Sequence, residues 1–232
     1  MPGFKKYTPV LLIVVAMAAG ACTKGSDEPQ KTPKMASLNV VNAVTDVNAV
    51  NFYLNGTRQN TNSAIFLGGT SGYNNFPVGE QTYQFKVDSQ SRTLLAEVKI
   101  TLPDAGAVYT ALLTGQRSAN NLTTIFTEDK FVADTLVRSH IRFIQASQGT
   151  QAYDVFVGDT LAFKNQSFKS VTDFMPTGQG KKTVKVMAAG TSTVLYTTSV
   201  TVLAASYYTL FTYGQPGKTG KDALATSIIL NR

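Results

Sequence analysis

The sequence has very few of the residues on which most enzymatic and metal sites depend. Its 232 residues include one cysteine, one histidine and no tryptophan. A serine, histidine and aspartate triad needs an imidazole in a suitable setting, and a histidine-rich metal site needs more than one. The acidic residues are few and show no catalytic spacing. These absences favour a protein without catalytic chemistry and without a metal or cofactor.

Long apolar runs and helical periodicity are also missing. Charged residues make up 15% of the chain, whereas valine, threonine, tyrosine and phenylalanine are plentiful, which is typical of strands. The apolar run Val10–Ala19 is much shorter than the roughly 20 residues that a membrane-spanning helix needs. The composition therefore predicts an all-β protein.

The N-terminus has the pattern of a secretion signal. Lys5 and Lys6 precede the apolar run, which ends in small residues, so residues 1–21 are predicted to be a signal peptide. Ala19-Gly20-Ala21-Cys22 resembles the lipobox of bacterial lipoproteins, and this resemblance implies that Cys22 is lipidated and holds the protein on a membrane. The alternative is an ordinary signal peptide followed by a cysteine that has no disulfide partner.

Residues 22–35 contain the cysteine and a polar segment with two prolines, which predicts a disordered tether. Asp27-Glu28 resembles the acidic export signal that directs lipoproteins of the Bacteroidetes to the cell surface. The resemblance implies an outer-membrane protein anchored by lipid, and both the periplasmic face and the cell surface stay open.

The rest of the chain is an internal repeat. Residues 37–57 match residues 140–160 without a gap, and all nine apolar positions of the second copy fall on apolar positions of the first. Lys86-Val87 aligns with Lys185-Val186 further along. Tyr109-Thr110 with Gly115-Gln116 aligns with Tyr208-Thr209 with Gly214-Gln215. The sequence therefore predicts two domains, residues 36–135 and 136–232.

Each repeat has the pattern of a β-sandwich. Tyr83, Phe85 and Val87 alternate with polar residues, so one face of this strand is expected to be buried. Seven short strands per repeat, at spacings of about 8 to 12 residues, predict tandem immunoglobulin-like antiparallel β-sandwiches. The junction 129–139 has apolar residues and neither glycine nor proline, so the two sandwiches are expected to pack together.

Residues 36–232 resemble the domain-of-unknown-function 4397 family. The resemblance depends on Val50-Asn51-Phe52-Tyr53 and Asn55-Gly56 in the first repeat, and on Tyr153-Asp154-Val155-Phe156 and Gly214 in the second. Members of the family are secreted β-sandwich modules, often in lipoproteins and surface proteins. The resemblance implies no enzymatic activity.

The charge is unevenly distributed. Six basic and eight acidic residues between 36 and 137 give a net charge of −2, whereas ten basic and four acidic residues between 138 and 232 give +6. Loop 214–221 resembles a phosphate-binding loop, but Thr212 stands where that motif needs glycine, and a strand is expected to follow. Lys218 and Lys221 are candidate contacts for an anion or a glycan. The alternative is a solvated hairpin loop, and nucleic acid is not an expected partner.

Single residues complete the list of candidates. Asp134-Thr135-Leu136 and Asp159-Thr160-Leu161 resemble the three-residue acceptor motif for O-glycosylation in Bacteroidetes, so Thr135 and Thr160 are candidate acceptors. His140 is predicted to be a surface residue. Asp46 and Asp154 are predicted to support turns.

Taken together, the sequence predicts a non-enzymatic lipoprotein of the cell envelope that serves as a structural or adhesion module. The alternative is a surface lipoprotein that binds a glycan or another polymer through loops of the basic second repeat. A glycan or another envelope protein would be the partner. The chemical identity of the ligand stays open.

Overall fold

The computed structural model describes residues 32–60, 63–134, 136–149 and 151–232. The predicted signal peptide, Cys22 and most of the tether lie outside these residues. No helix in the described residues is long and apolar enough to cross a membrane. Residues from Pro33 to Arg232 form one compact unit.

The all-β prediction is confirmed. The strands of the first repeat are β1 (Met35–Val44), β2 (Ala49–Leu54), β3 (Thr57–Arg58), β4 (Ile65–Phe66), β5 (Thr70–Pro77), β6 (Gly79–Val87), β7 (Leu94–Leu102), β8 (Val108–Gly115) and β9 (Thr123–Glu128). The strands of the second repeat are β10 (Ser139–Gln145), β11 (Tyr153–Val157), β12 (Thr160–Gln166), β13 (Met175–Thr177), β14 (Gly180–Ala188), β15 (Val194–Val202), β16 (Tyr207–Tyr213) and β17 (Ala225–Leu230). A short 3-10 helix, Gly220–Asp222, precedes β17.

The strands form four sheets, two in each repeat, as expected of tandem β-sandwiches. The first repeat has the orders β5-β1-β8-β9 and β3-β2-β6-β7, with β4 also paired to β2. The second repeat has the corresponding orders β13-β10-β16-β17 and β12-β11-β14-β15. Neighbouring strands are antiparallel except for the parallel central pairs β1–β8 and β10–β16. Strands β3, β4 and β12 were not predicted, so each repeat has more strands than expected.

Each sandwich encloses its own apolar core. In the first repeat Phe52, Tyr83 and Phe85 are at most 1% exposed and pack between the two sheets. In the second repeat Phe143 and Val155 are completely buried in the corresponding place. The alternation of apolar and polar residues along the strands determines which side chains enter these cores.

A third apolar cluster lies between the two sandwiches. The buried residues of this interface are Val41, Ala43, Leu112 and Ile125 from the first repeat, and Ile144, Ala146, Phe211 and Ile229 from the second. The central strands of the facing sheets, β1, β8, β10 and β16, are therefore buried on both faces for nearly their whole length. The contact agrees with the expectation, from the junction, that the sandwiches pack together.

The interface joins equivalent faces of the two repeats. Val41 and Ile144 occupy matching positions, and so do Leu112 and Phe211. Each repeat also donates a hydrogen bond to the other across the interface. Thr45 of the first repeat donates to Asp222 of the second, and Gln148, the counterpart of Thr45, donates to the carbonyl oxygen of Asn121 at 3.0 Å. Contact between matching surfaces is the property of an isologous dimer interface, here formed within one chain.

The strand register corrects one part of the repeat alignment. Asn51 pairs with Lys86, and its counterpart Asp154 pairs with Met187. Lys86 therefore corresponds to Met187, not to Lys185 as the sequence alignment indicated. A shift of two residues keeps every side chain on the same face of the strand, so the apolar alternation is identical in both alignments.

Candidate functional site

The predicted anion-contact loop is fastened to the first repeat. Lys218 is exposed, whereas Lys221 donates from Nζ to Oδ1 of Asn48 at 2.5 Å. Next to it, the Asp222 carboxylate accepts hydrogen bonds from Thr45 and, at 2.9 Å, from Nε2 of Gln116. Lys218 is therefore exposed on a loop of the second repeat whose base is hydrogen-bonded to the first repeat.

The predicted modification sites lie partly outside the described residues. Cys22 and Thr135 are not among the residues that the structure describes. Thr160 is exposed at the first position of β12. Its side chain therefore faces solvent.

The two turn-supporting aspartates accept backbone N–H groups, as expected for such residues. Asp46 accepts the N–H groups of Arg117 and Ser118 at 2.9 and 2.7 Å. Burial acts to raise the pKa of Asp46, but these donors outweigh burial and leave the pKa lowered. Asp154 accepts the N–H groups of Gly190 and Asn165, which lower its pKa in that order of importance. Both carboxylates thus fix loop geometry.

His140 is not a surface residue, and that prediction is wrong. The residue is 4% exposed, its ring stacks on Tyr207 with centroids 4.6 Å apart, and its Nε2 lies 3.4 Å from Oδ2 of Asp134. The junction folds back over the start of β10, where Phe131 also contacts Tyr207. Burial follows from this tertiary contact, which the local sequence pattern does not contain.

A charged pair that was not predicted lies in the interface. Arg142 is 1% exposed and Asp129 is 4% exposed, and the guanidinium donates from Nη2 to Oδ1 of Asp129. Nε of Arg142 also donates to Thr209 at 2.9 Å. The guanidinium carbon lies 4.6 Å from the centre of the Phe174 ring. The cation is thus paired, hydrogen-bonded and covered.

The carboxylate of Asp129 is satisfied by further donors from its own repeat. Thr110 donates to Oδ2 at 2.7 Å, and the hydroxyl of Tyr73 donates to the same oxygen. Burial and the adjacent carboxylate raise the pKa of Tyr73. Asn231 of the second repeat donates to the Tyr73 hydroxyl at 2.8 Å. The network links the two repeats through a buried charged pair, which favours a structural role.

A polar pocket of about 560 Å³ opens on the other sheet of the first repeat. It is lined by Asn51, Tyr53, Gly56, Arg58, Asp88, Ser89, Gln90 and Arg92. Strand β2 supplies the floor, the β2–β3 hairpin one wall, and the β6–β7 turn the other. We call this site the polar pocket.

A chain of hydrogen bonds holds the floor of the polar pocket. Asn60 donates to Oδ1 of Asn51 at 2.8 Å, and Asn51 donates to Oδ1 of Asp88 at 2.8 Å. Asn51 and Asn60 are 3% and 4% exposed, so their orientation is fixed by burial. The sequence signal was a polar residue, Asn51, within the apolar strand β2.

The cations around the polar pocket form no salt bridge within the part of the chain that the structure describes. Among the described residues, Arg58 and Arg92 form no salt bridge, although Lys99 and Lys130 of the same repeat do. Nε of Arg58 is buried and has no hydrogen-bond partner among these residues. Lys86 lies over the Tyr53 ring, with Nζ 4.6 Å from its centre.

Within the described ranges, no three His, Cys, Asp or Glu residues lie close enough together to hold a metal ion. We take the polar pocket and loop 214–221 as candidate binding surfaces.

A family model described as Domain of unknown function (DUF4397) matches residues 36–135 and 139–228. The chain belongs to this family. It contains two tandem copies of the domain, as the resemblance implied. Comparison with curated proteins gave no match. The family description assigns no activity. A function for the two DUF4397 domains therefore has to be argued from the chemistry of their surfaces.

Proposed function

We propose that this tandem DUF4397 protein is a non-enzymatic lipoprotein of the cell envelope that acts as a structural or adhesion module. The single observation that carries the proposal is the interface between the sandwiches, where Arg142 and Asp129 form a buried pair beside the apolar cluster. An interface of this kind favours one rigid body over two domains that swing on a linker.

The lipid anchor is the second component of the proposal. Ala19-Gly20-Ala21-Cys22 supports lipidation of Cys22, and several acyl chains hold a protein on a membrane more durably than one. The 23–35 segment spans at most roughly 43 Å when fully extended. A rigid pair of sandwiches would then be presented close to the outer membrane, on its periplasmic face or at the cell surface.

Metabolic labelling with a palmitate analogue tests the anchor. The wild-type protein should become labelled, whereas the Cys22→Ser variant should not. Equal labelling of the two proteins would contradict lipidation. Proteolysis of intact cells distinguishes the two faces, because only a protein on the cell surface is cleaved while the membrane stays closed.

Glycan or polymer binding by the second repeat is the other candidate function. It is supported by the exposed position of Lys218 on a loop whose base is fixed through Lys221 and Asp222. Loops held on a rigid scaffold commonly carry the binding residues of such modules. Binding that depends on these lysines should weaken steeply as salt is added.

O-glycosylation of Thr160 and Thr135 also remains a proposal. Exposure of Thr160 after Asp159 supports it. Glycopeptides that carry a hexose-containing mass on Thr160 in the native protein would establish it. An unmodified peptide at full occupancy would exclude modification at that residue.

A further inference from the structure

We infer that the polar pocket of the first repeat binds an anionic saccharide, a sugar that carries a carboxylate or a sulfate group. The inference depends neither on the lipid anchor nor on the 214–221 loop, because the pocket lies on the outer sheet of the other repeat. It concerns a site that the proposed functions above do not use.

The polar pocket is rich in positive charge, although the repeat that contains it has a net negative charge. Residues 36–137 carry a net charge of −2, yet three of their six basic residues, Arg58, Lys86 and Arg92, lie at this site. Asp88 is the only acidic residue in the lining. Guanidinium groups bind carboxylate and sulfate-like anions through paired N–H donors. The site therefore attracts an anion.

The remaining polar groups of the pocket suit a sugar. Asn60 orients Asn51, and Asn51 in turn orients the Asp88 carboxylate, so hydroxyl groups of a ligand would meet fixed hydrogen-bonding groups. The pocket volume of about 560 Å³ lies within the usual range of small-molecule sites. The face of Tyr53 is covered by Lys86 and the residue is 6% exposed, so the lining offers little apolar surface. A polar, hydroxylated anion fits this lining better than an apolar ligand.

The second repeat shows that the fold does not need these polar residues. The strand register places Phe156 at the position of Tyr53 and Leu161 at the position of Arg58. Met187 takes the place of Lys86, and the residue after Ala188, Ala189, takes the place of Asp88. Arg58 and Lys86 thus correspond to apolar residues in the second repeat, so the same strands form without these cations, whereas Asn51 corresponds to the polar Asp154. A ligand would account for the two cations.

Isothermal titration of the full chain in mild detergent tests the inference. The probes are a galacturonate trisaccharide, a galactose 6-sulfate oligosaccharide and, as the neutral control, a galactose trisaccharide. Wild-type protein should bind one or both anionic probes and not the neutral one. Carboxylate and sulfate sources are distinguished by which probe binds.

Matched variants locate the site. Arg58→Ala with Arg92→Ala should weaken binding by about tenfold or more, since each charge-assisted hydrogen bond contributes strongly. Lys181→Ala with Lys182→Ala, on β14 of the second repeat, changes the net charge by the same amount and should leave the affinity within about twofold. Lys218→Ala with Lys221→Ala separates the polar pocket from the 214–221 loop, which the second candidate function uses. Arg58→Lys keeps the charge but loses the paired donors, so it should give an intermediate affinity.

Several outcomes would overturn the inference. These are equal affinity of the wild type and the Arg58, Arg92 double variant, equal binding of the neutral trisaccharide, or no binding of either anionic probe. Loss of binding only in the Lys218, Lys221 variant would transfer the site to the 214–221 loop. Thermal unfolding of each variant verifies that the fold is intact, and palmitate labelling reports on the anchor separately.

Discussion

The outer sheets of the two repeats share a backbone and differ in chemistry. In the first repeat Asn51 and Arg58 border an open pocket. In the second repeat Asp154 stands at the position of Asn51, and both of its oxygens are occupied by backbone N–H groups. Leu161 replaces the arginine at the matching position. The more acidic repeat thus carries the cationic pocket, so net charge per repeat does not show where an anion would bind.

The inner sheets of the two repeats share a buried hydrogen bond at matching positions. Thr110 donates to Asp129 at 2.7 Å in the first repeat, and the matching Thr209 donates to Asn231 at 2.7 Å in the second. One departure is Arg142, whose counterpart in the first repeat is Asn39, and another is Asp129, whose counterpart in the second repeat is Asn231. These two departures together form the buried ion pair. The comparison teaches that the same threonine hydrogen bond forms with a charged acceptor in one repeat and a neutral acceptor in the other.

The strongest test of this comparison is Arg142→Ala. The substitution leaves the carboxylate of Asp129 buried without its cation, which should lower the free energy of unfolding by about 3 to 5 kcal/mol. Asn39→Ala at the matching position removes no charge partner and should cost less, about 1 kcal/mol. Urea denaturation followed by fluorescence or circular dichroism measures both.

Arg142→Met combined with Asp129→Asn serves as the control. The double variant removes both charges and supplies the residue that the second repeat has at Asn231, so it should recover most of the lost stability. Equal losses of unfolding free energy in Arg142→Ala and Asn39→Ala would contradict the larger contribution expected from the ion pair.

A smaller effect is expected from Asp154→Asn. The N–H groups of Gly190 and Asn165 hold the pKa of Asp154 below its usual value. A lowered carboxyl pKa contributes stability above the unfolded-state pKa of about 3.9, and this stability is lost as the pH falls through the folded-state pKa. The variant should therefore be less stable by on the order of 1 kcal/mol at neutral pH.

The difference between Asp154→Asn and the wild type should shrink as the pH falls below about 4. Asn42→Ala in the first repeat is the control, since this buried amide does not titrate and its hydrogen bonds are to the backbone of Ile65 and Val44. Unfolding free energies measured by urea between pH 7 and pH 3 give both curves. A difference that stays constant over this range would show that Asp154 acts without its charge.

The smallest effect is expected from Lys218→Ala with Lys221→Ala. Both lysines are exposed, and one hydrogen bond, from Lys221 to Asn48, is lost. The free energy of unfolding should change by no more than roughly 0.5 kcal/mol, as is usual for surface sites. Weaker binding of an acidic glycan, measured on a glycan array, would assign the loop a binding role. Unchanged binding would leave it as a connection.

Some strands were predictable because their alternation is regular. Tyr83 and Phe85 on β6 alternate with polar neighbours and enter the core as expected. Strand β12 was missed because it lies at a sheet edge and its pairing with β11 has irregular register, which weakens the alternation. His140 was misplaced because the 129–139 junction covers it, and this contact joins residues that no local pattern connects.

The sequence by itself determined the repeat, the all-β class and the inner face of regularly alternating strands such as β6, because apolar alternation acts within a few residues of chain. Only the tertiary structure decided that β1 and β10 are buried on both faces, since the second face is buried by the other repeat. It also decided the pairing of Arg142 with Asp129 and the meeting of Arg58 and Arg92 at one pocket. These outcomes depend on which surfaces and loops the fold brings together, and spacing along the chain does not encode that proximity.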